Sequence, residues 1–243
     1  MSGPEACIQI HDVYRTFKSN EVIHGVSLNV YNNEIFGLLG PSGSGKTTLV
    51  KMIAGIDEAT SGRIEVMGTQ MPKLEMMKHI GYMAQSDALY MELSAKENLE
   101  FFGSLFGLRR EKLKKRIHEV MELVNLTSHL KRTVGHFSGG MKRRLSLAIA
   151  LLHEPEVLIL DEPTVGMDPV LRKSIWDEFD HLSANGTTIV ITTHVMDEAD
   201  KCHRLGMVRE GSLIAVGTPD ALKEDTGSAT IEGAFLYYGG VRA

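Results

Sequence analysis

Hydrophobic and polar positions change their period several times along the chain. Over residues 6–17 ("ACIQIHDVYRTF") and 25–40 ("GVSLNVYNNEIFGLLG"), apolar and β-branched residues alternate with polar ones or form short unbroken runs. That pattern predicts strands separated by a polar turn around Lys18 to Glu21. "EIFGLLG" leads into a glycine-rich loop, and the spacing of Leu49, Ile53 and Ile56 in "KTTLVKMIAGI" predicts a helix directly after it. "SGRIEVMGTQ" predicts one short strand bracketed by glycines, and "IGYMAQ" a buried strand ending at a polar residue. From Ser94 to about Leu152 the period becomes helical in three segments, "SAKENLEFFGSLFGL", "REKLKKRIHEVMELVNL" and "GGMKRRLSLAIALLHE". The continuous apolar runs of "EVLILDEP" and "TTIVITTH" then suit strands buried on both faces of a parallel sheet. Between them "PVLRKSIWDEFDHLSANG" predicts a helix ending at a glycine. "HRLGMVREGSLIAVG" predicts a hairpin around Glu210-Gly211, and Thr218-Pro219 opens a terminal helix. The whole reads as an α/β fold interrupted by a helical insertion, without internal repeats or a low-complexity linker.

Composition narrows the classes. At 243 residues and 43% hydrophobic content the chain can bury a sizeable core. A formal charge of -5 argues against a general nucleic-acid binder, so no nucleic-acid partner is expected. The two cysteines, Cys7 and Cys202, lie far apart without CxxC spacing, which indicates neither a disulfide framework nor a zinc site. "MSGPEACIQIHDVYR" lacks the charged-then-apolar pattern of a signal segment, and no run approaches the roughly 18 apolar residues of a spanning helix. The chain is therefore expected to be soluble on its own, which leaves a membrane partner open. The basic run 109–119, "RREKLKKRIHE", is the solvated face of a helix with Glu–Lys pairs, and the thirteen scattered methionines are core filler.

Two segments carry the chemistry. "GPSGSGKTT" comprises Gly40, Pro41, Ser42, Gly43, Ser44, Gly45, Lys46, Thr47 and Thr48, and fits the G-x-x-x-x-G-K-[ST] phosphate loop between a strand and a helix. Its glycines let backbone amides converge on one anion, and the helix start adds the positive end of its dipole. Lys46 reaches the β- and γ-phosphates, and the Thr47 hydroxyl ligates Mg²⁺. "VLILDEP" ends a central strand in a carboxylate, Asp161, suited to the same metal. Glu162 follows it and points to the other side of the strand end, where it can polarise a water aimed at the γ-phosphate. ATP and Mg²⁺ are the expected ligands. "HFSGGMKRR" (136–144) then supplies a second anion-binding turn, with Ser138 and the amides of Gly139 and Gly140 at the head of a helix.

These motifs, in this order, resemble the nucleotide-binding domain of ABC transporters over nearly the whole chain. Gln85 in "YMAQ" matches the Q-loop, "FSGGM" the signature motif, "VGMD" with Asp168 the D-loop, and His194 in "ITTH" the switch histidine. The resemblance implies a P-loop NTPase (RecA-like) core with an N-terminal antiparallel β-subdomain and an inserted α-helical subdomain. It implies a single ABC ATPase domain over 1–243, with core and β-subdomain in 1–87 and 154–243 and the helical subdomain in 88–153. Gln85 joins Thr47 and Asp161 as a metal ligand, and with Glu162 and His194 forms the catalytic set. Phe17 stacks on adenine, with Tyr14 as the neighbouring alternative. Two such domains join head to tail, each nucleotide lying between one phosphate loop and the other copy's signature turn and D-loop, which explains why one chain carries two anion-binding turns.

Departures from the family pattern are Met141 where Gln is common and Phe137 where Leu is usual. The serine and both glycines persist, so activity is expected. Segments 89–108, 137–169 and 193–200 look most like ABC-2 type exporters, among them the eukaryotic A, G and H subfamilies and bacterial drug-export ATPases. Residues 152–177 look especially like the H subfamily. That branch implies export of a lipid, drug or polymer through a transmembrane domain, with this domain on the cytoplasmic face of the membrane. By the same analogy "SDALYMELSAKENLEFFG" (86–103) docks the coupling helix of that partner. The chain is expected to be either a domain of a longer half-transporter or a free subunit. The alternative is a soluble ABC ATPase acting on nucleic acid or ribosomes. It is disfavoured by the acidity and by the lack of a second ATPase domain or a long coiled coil.

Overall fold

The structure, a computed structural model, describes residues 5–86 and 88–240. In chain order the elements are β1 (Ala6–Phe17), β2 (Asn20–Tyr31), β3 (Ile35–Leu39), α1 (Lys46–Ile53), β4 (Ser61–Val66), β5 (Thr69–Gln70), β6 (Ile80–Met83), α2 (Ala95–Leu105), α3 (Arg110–Leu123), α4 (Gly139–Leu151), β7 (Val157–Asp161), α5 (Pro169–Ala184), β8 (Thr188–Thr193), α6 (Met196–Ala199), β9 (Arg204–Arg209), β10 (Ser212–Gly217), α7 (Pro219–Thr226) and α8 (Ile231–Tyr238). A four-stranded antiparallel sheet has the order β2-β1-β4-β5, and a six-stranded sheet the order β10-β9-β3-β8-β7-β6. In the larger sheet β9, β3, β8, β7 and β6 run parallel and β10 closes one edge antiparallel to β9.

Every residue of β3, β7 and β8 is buried. Both faces of the parallel sheet are covered, so these strands read as unbroken apolar runs. The pleat sends successive residues to different cores. Leu158 and Leu160 of β7 join a cluster with the apolar faces of α2 to α5, whereas Val157 and Ile159 join one with β1, β2 and α1. The three inserted helices lie between β6 and β7 in sequence and pack on the first of these cores.

Local signals fix the helix starts. Ser94 and Glu97 form a reciprocal capping box at α2, the Ser94 hydroxyl accepting from the Glu97 amide at 3.2 Å and the Glu97 carboxylate from the Ser94 amide at 2.7 Å. Proline follows the capping residue at α5 (Asp168-Pro169) and α7 (Thr218-Pro219), where its missing N–H costs nothing. Two local expectations need correction. "SGRIEVMGTQ" is a hairpin rather than one strand, because Met67 and Gly68, both at positive φ, reverse the chain between β4 and β5. Ile56 is not on the buried face of α1. The helix ends at Ile53, Gly55 (φ 72°) turns the chain away, and Ile56 is exposed. Among the described residues no helix is long and apolar enough to cross a membrane.

Candidate functional site: a phosphate cradle facing two carboxylates

The central strand β3 delivers the chain into the loop 40–45, and α1 begins at Lys46. Gly45 takes φ 102°, a conformation open to glycine, and a Cβ there would lie 2.7 Å from Ile23 Cδ1. The tip of the β9–β10 hairpin braces the loop through the Gly211 amide on the Ser44 carbonyl (3.0 Å), and the Gly40 amide donates to Thr193 at 3.3 Å. Ser42 through Thr48 line a cavity of about 180 Å³ together with Val22, Gln85 and Glu162. Gly40 and Pro41 lie behind it and hold the lysine, whose Nζ donates to their carbonyls at 2.7 and 3.0 Å. Burial pushes the Lys46 ammonium below the usual lysine range, against the opposing pull of Glu162 and Asp161.

Asp161 and Glu162 both act on the Lys46 charge, and of the two only Glu162 lines the cavity. Asp161 is buried; its Oδ1 accepts from the Thr192 hydroxyl, and its Oδ2 is buried without a hydrogen-bond partner in the protein. Glu162 adopts φ 53° and lines the cavity. Its amide donates to the Thr192 hydroxyl (3.0 Å) and carbonyl (3.1 Å). The His194 Nδ1 lies 2.9 Å from its Oε1, so the two form a pair 32 residues apart in sequence.

The remaining predicted residues lie outside this cavity. Ser138 caps α4, its hydroxyl accepting from the Met141 amide at 3.2 Å, and Ser138 and Gly139 are exposed. Phe137 is buried in the core, so the position keeps the apolar character that leucine has there in the family. Gly140 borders the D-loop, since a Cβ on it would meet the Gly166 carbonyl at 3.3 Å. Asp168 caps α5 with 3.1 and 3.0 Å bonds from the Val170 and Leu171 amides. Phe17, 44% exposed at the end of β1, has Arg15 4.3 Å above its ring, and Arg15 is held by a two-pronged pair to Asp57. Tyr14 is partly buried, with its hydroxyl closed over Gly25, which leaves Phe17 as the available aromatic face.

Sequence reasoning missed the groups that hold the site from behind. Arg143, within the segment of helical period that follows the signature turn, reaches the backbone of 84–85 and 161–162. Glu198, buried on α6, accepts from the hydroxyls of Thr164, beside the D-loop, and of Thr193 (2.8 Å), next to the switch histidine. Two threonines end the apolar run "TIVITT", and adjacent strand residues face opposite ways, which signals a polar group on each face without naming Glu198. Tyr82 on β6 has its hydroxyl buried without a partner, and burial, reinforced by Asp161, raises it to about 12. A larger cavity of about 630 Å³ lies between α3 and α5 and contains none of these residues.

The donor set fits Mg²⁺. Asp161 Oδ2 is an unpartnered buried carboxylate oxygen, and with the Thr47 hydroxyl and the Gln85 amide oxygen it would offer the hard oxygen ligands this ion takes.

Residues 23–165 match the family model described as ABC transporter. The linearmycin resistance ATP-binding protein LnrL of Bacillus subtilis (strain 168) is 40% identical over 92% of this chain and 73% of its own length. The probable multidrug ABC transporter ATP-binding protein YbhF of Escherichia coli (strain K12) is 39% identical over 96% of the chain, which spans 41% of that protein. Among solved structures, the dimeric post-hydrolysis ATP-binding cassette MJ0796 bound to ADP and Pi superposes with a TM-score of 0.82 at 25% identity, over 87% of this chain and 98% of its own. With a phosphate loop and strand-end carboxylates on this fold, and with these matches, the chain belongs to the ABC transporter family, as an ATP-hydrolysing domain.

Proposed function

We propose that this domain drives export of a hydrophobic cargo, a lipid or a drug, through a transmembrane partner, by ATP-dependent head-to-tail closure of two ATPase domains. The observation that carries this reading is the separation of its two anion-binding turns: Ser138 and Gly139 are exposed, and residues 138–140 do not line the cavity made by 42–48. A donor cluster that does not serve its own chain's phosphate cradle is suited to another's. The relatives are transporter ATP-binding proteins, so the nucleic-acid alternative is set aside.

In this mechanism the amides of Ser42 to Thr48 and the Lys46 ammonium hold the triphosphate of ATP, and Phe17 stacks on the adenine. Thr47, Asp161 and Gln85 would hold Mg²⁺, which when bound offsets the negative charge of the phosphates. The local charge balance calls for it, because one lysine faces two carboxylates before the triphosphate arrives. Glu162 orients a water in line with the γ-phosphorus. The water oxygen bonds to the γ-phosphorus while its proton passes to the Glu162 carboxylate and on to solvent, the bond to the β-phosphate oxygen breaks, and ADP and phosphate leave. His194, held on Glu162, keeps that carboxylate and the γ-phosphate in register. Ser138, Gly139 and Gly140 of the second copy donate to the γ-phosphate, with Asp168 beside them, so chemistry waits for closure.

We divide the chain into core and β-subdomain (1–87 and 154–243) and helical subdomain (88–153), and assign it to the ABC-2 branch, nearest in residues 152–177 to the H subfamily. It works from the cytoplasmic face of a membrane. Residues 86–103 form the docking surface for the membrane partner. Asp87 lies outside the described residues. Tyr90, Phe101 and Phe102 cluster there at 4.9 to 6.1 Å between ring centroids, with Tyr90 and Phe101 exposed. Buried Asn98 pins the segment through both backbone groups of Tyr90 (2.9 and 3.0 Å).

The test is Glu162→Gln, examined by light scattering and ATP turnover. The variant should bind ATP, cease to hydrolyse it and double in mass only with ATP·Mg²⁺. Turnover at the wild-type rate would refute the role of Glu162, and a monomer at saturating ATP would refute closure of two copies of this chain alone.

A further inference from the structure

Arg143 is the fifth residue after Ser138, and its side chain is buried against the core, 8% exposed. One of its terminal nitrogens donates to the carbonyls of Ala84 (2.6 Å) and Gln85 (2.9 Å), where the chain leaves β6. The other donates to the carbonyls of Asp161 and Glu162, the latter at 2.7 Å, where it leaves β7. A single planar cation thus joins three segments that approach one another only in the fold: the helix behind the signature turn, the backbone of Gln85 and the backbone of Glu162. A carbonyl that accepts such a charge-assisted bond fixes its peptide plane. The peptide planes at 85 and 162 set where the two side chains enter the phosphate cavity, which both of them line. Glu162 is also the residue at φ 53°, a conformation that surrounding bonds must hold in place for a non-glycine residue.

We propose that Arg143 is a positioning residue for hydrolysis. It fixes Gln85 and Glu162 relative to each other and to α4, so that the turn offered to a second copy and the catalytic carboxylate of its own chain keep one geometry. The inference rests on the reading that Gln85 and Glu162 serve ATP hydrolysis. Lysine cannot replace arginine here. An ammonium offers three donors diverging from one point, and does not reach two pairs of carbonyls on separate strands as the planar fork does.

The adjacent Arg144 supplies the control. Its guanidinium also donates to backbone carbonyls, those of Val124 and Asn125 at 3.2 Å each, but these lie just after α3, within the inserted helices. Wild type, Arg143→Lys and Arg144→Lys of the full chain would be compared for nucleotide Kd, for kcat and KM of ATP hydrolysis, and for thermal midpoint. Arg143→Lys should lose at least about tenfold in kcat, with Kd and KM within about twofold, a change of about 1.4 kcal/mol or more in the barrier. Arg144→Lys should keep kcat within about twofold at a similar loss of thermal stability. Should Arg143→Lys fail to fold, Arg143→Gln carries the same test, since its amide can serve one pair of carbonyls. Wild-type kcat in a folded Arg143 variant, or equal losses of kcat in the Arg143 and Arg144 variants, overturns the positioning role. An active wild type whose Glu162→Gln variant hydrolyses equally well overturns the functional reading instead, and separates that failure from this one.

Discussion

Ser138 is asked to do two things, and the two can be separated. Its hydroxyl oxygen accepts the Met141 amide and so caps α4, while its proton remains to be donated to a phosphate oxygen. Ser138→Ala removes the cap, a loss of about 1 kcal/mol. In a domain of this size that lowers the melting temperature by roughly 2–4 °C. Ser138→Asp keeps an acceptor at the cap and adds a favourable charge at the helix start, about 0.3–1 kcal/mol, so its melting temperature should equal or exceed that of the parent. Dimer closure ranks the variants differently. Alanine forfeits one hydrogen bond to a charged group, about 1.5–3 kcal/mol per site. Aspartate sets a carboxylate against the γ-phosphate, which at about 4 Å and an effective dielectric of about 20 costs roughly 4 kcal/mol per site. That is a loss of about a thousandfold in dimer affinity for each site. Both substitutions would be made in the Glu162→Gln background, with differential scanning calorimetry for the fold and light scattering against protein concentration, with ATP·Mg²⁺, for the dimer. The order of stability should be aspartate at or above serine, then alanine; the order of dimer affinity should be serine, alanine, aspartate. A Ser138→Asp protein that dimerises at the parent's concentration would show that the turn meets no phosphate.

Two further outcomes follow from the geometry. Gly45→Ala forces an alanine into φ 102° with its Cβ 2.7 Å from Ile23 Cδ1 and 3.1 Å from the Val22 carbonyl; a loss of about 1–3 kcal/mol in stability is expected by urea unfolding, with nucleotide binding lost by calorimetry. His153, stacked 3.8 Å from Phe106 and with its Nε2 3.2 Å from the Ile80 carbonyl, is driven down from 6.5 to about 4, chiefly by burial. The unfolded chain then holds a proton that the folded one lacks between pH 4 and 6.5, so stability falls as pH drops through that window and this contribution levels off below about 4. The span is on the order of 3 kcal/mol, and urea titrations should find a shallower fall in His153→Gln; an identical slope in both proteins contradicts the assignment.

What the sequence could reveal depended on how far apart in the chain the cooperating groups lie. The phosphate loop is contiguous, and its setting between strand and helix was visible in a switch of period at Gly40, which the structure retains. The strands β3, β7 and β8 announced themselves as unbroken apolar runs because both faces of the sheet are covered. Errors arose where backbone geometry, not polarity, decided the outcome: Met67 and Gly68 reverse the chain inside an apparently single strand, and Gly55 takes Ile56 off the helix that its spacing fits. The supports of the site belong to a third kind. Thr192 and Thr193 are neighbours whose side chains leave β8 on opposite faces, one bonded to Asp161 and the other to Glu198. Periodicity announces that the two faces differ, yet it does not say which acid, 31 residues before or five after, lies on which. Arg143 poses the same problem more sharply, since its i+4 and i+7 spacing puts it on the helix face of buried Leu147 and Ala150, where an apolar residue would be expected. Its partners are carbonyls, which every residue possesses, so no side-chain pattern 58 residues upstream could have pointed to them. An arginine set among apolar positions on a helix face therefore signals a buried cation in need of acceptors, and only the fold says which carbonyls supply them.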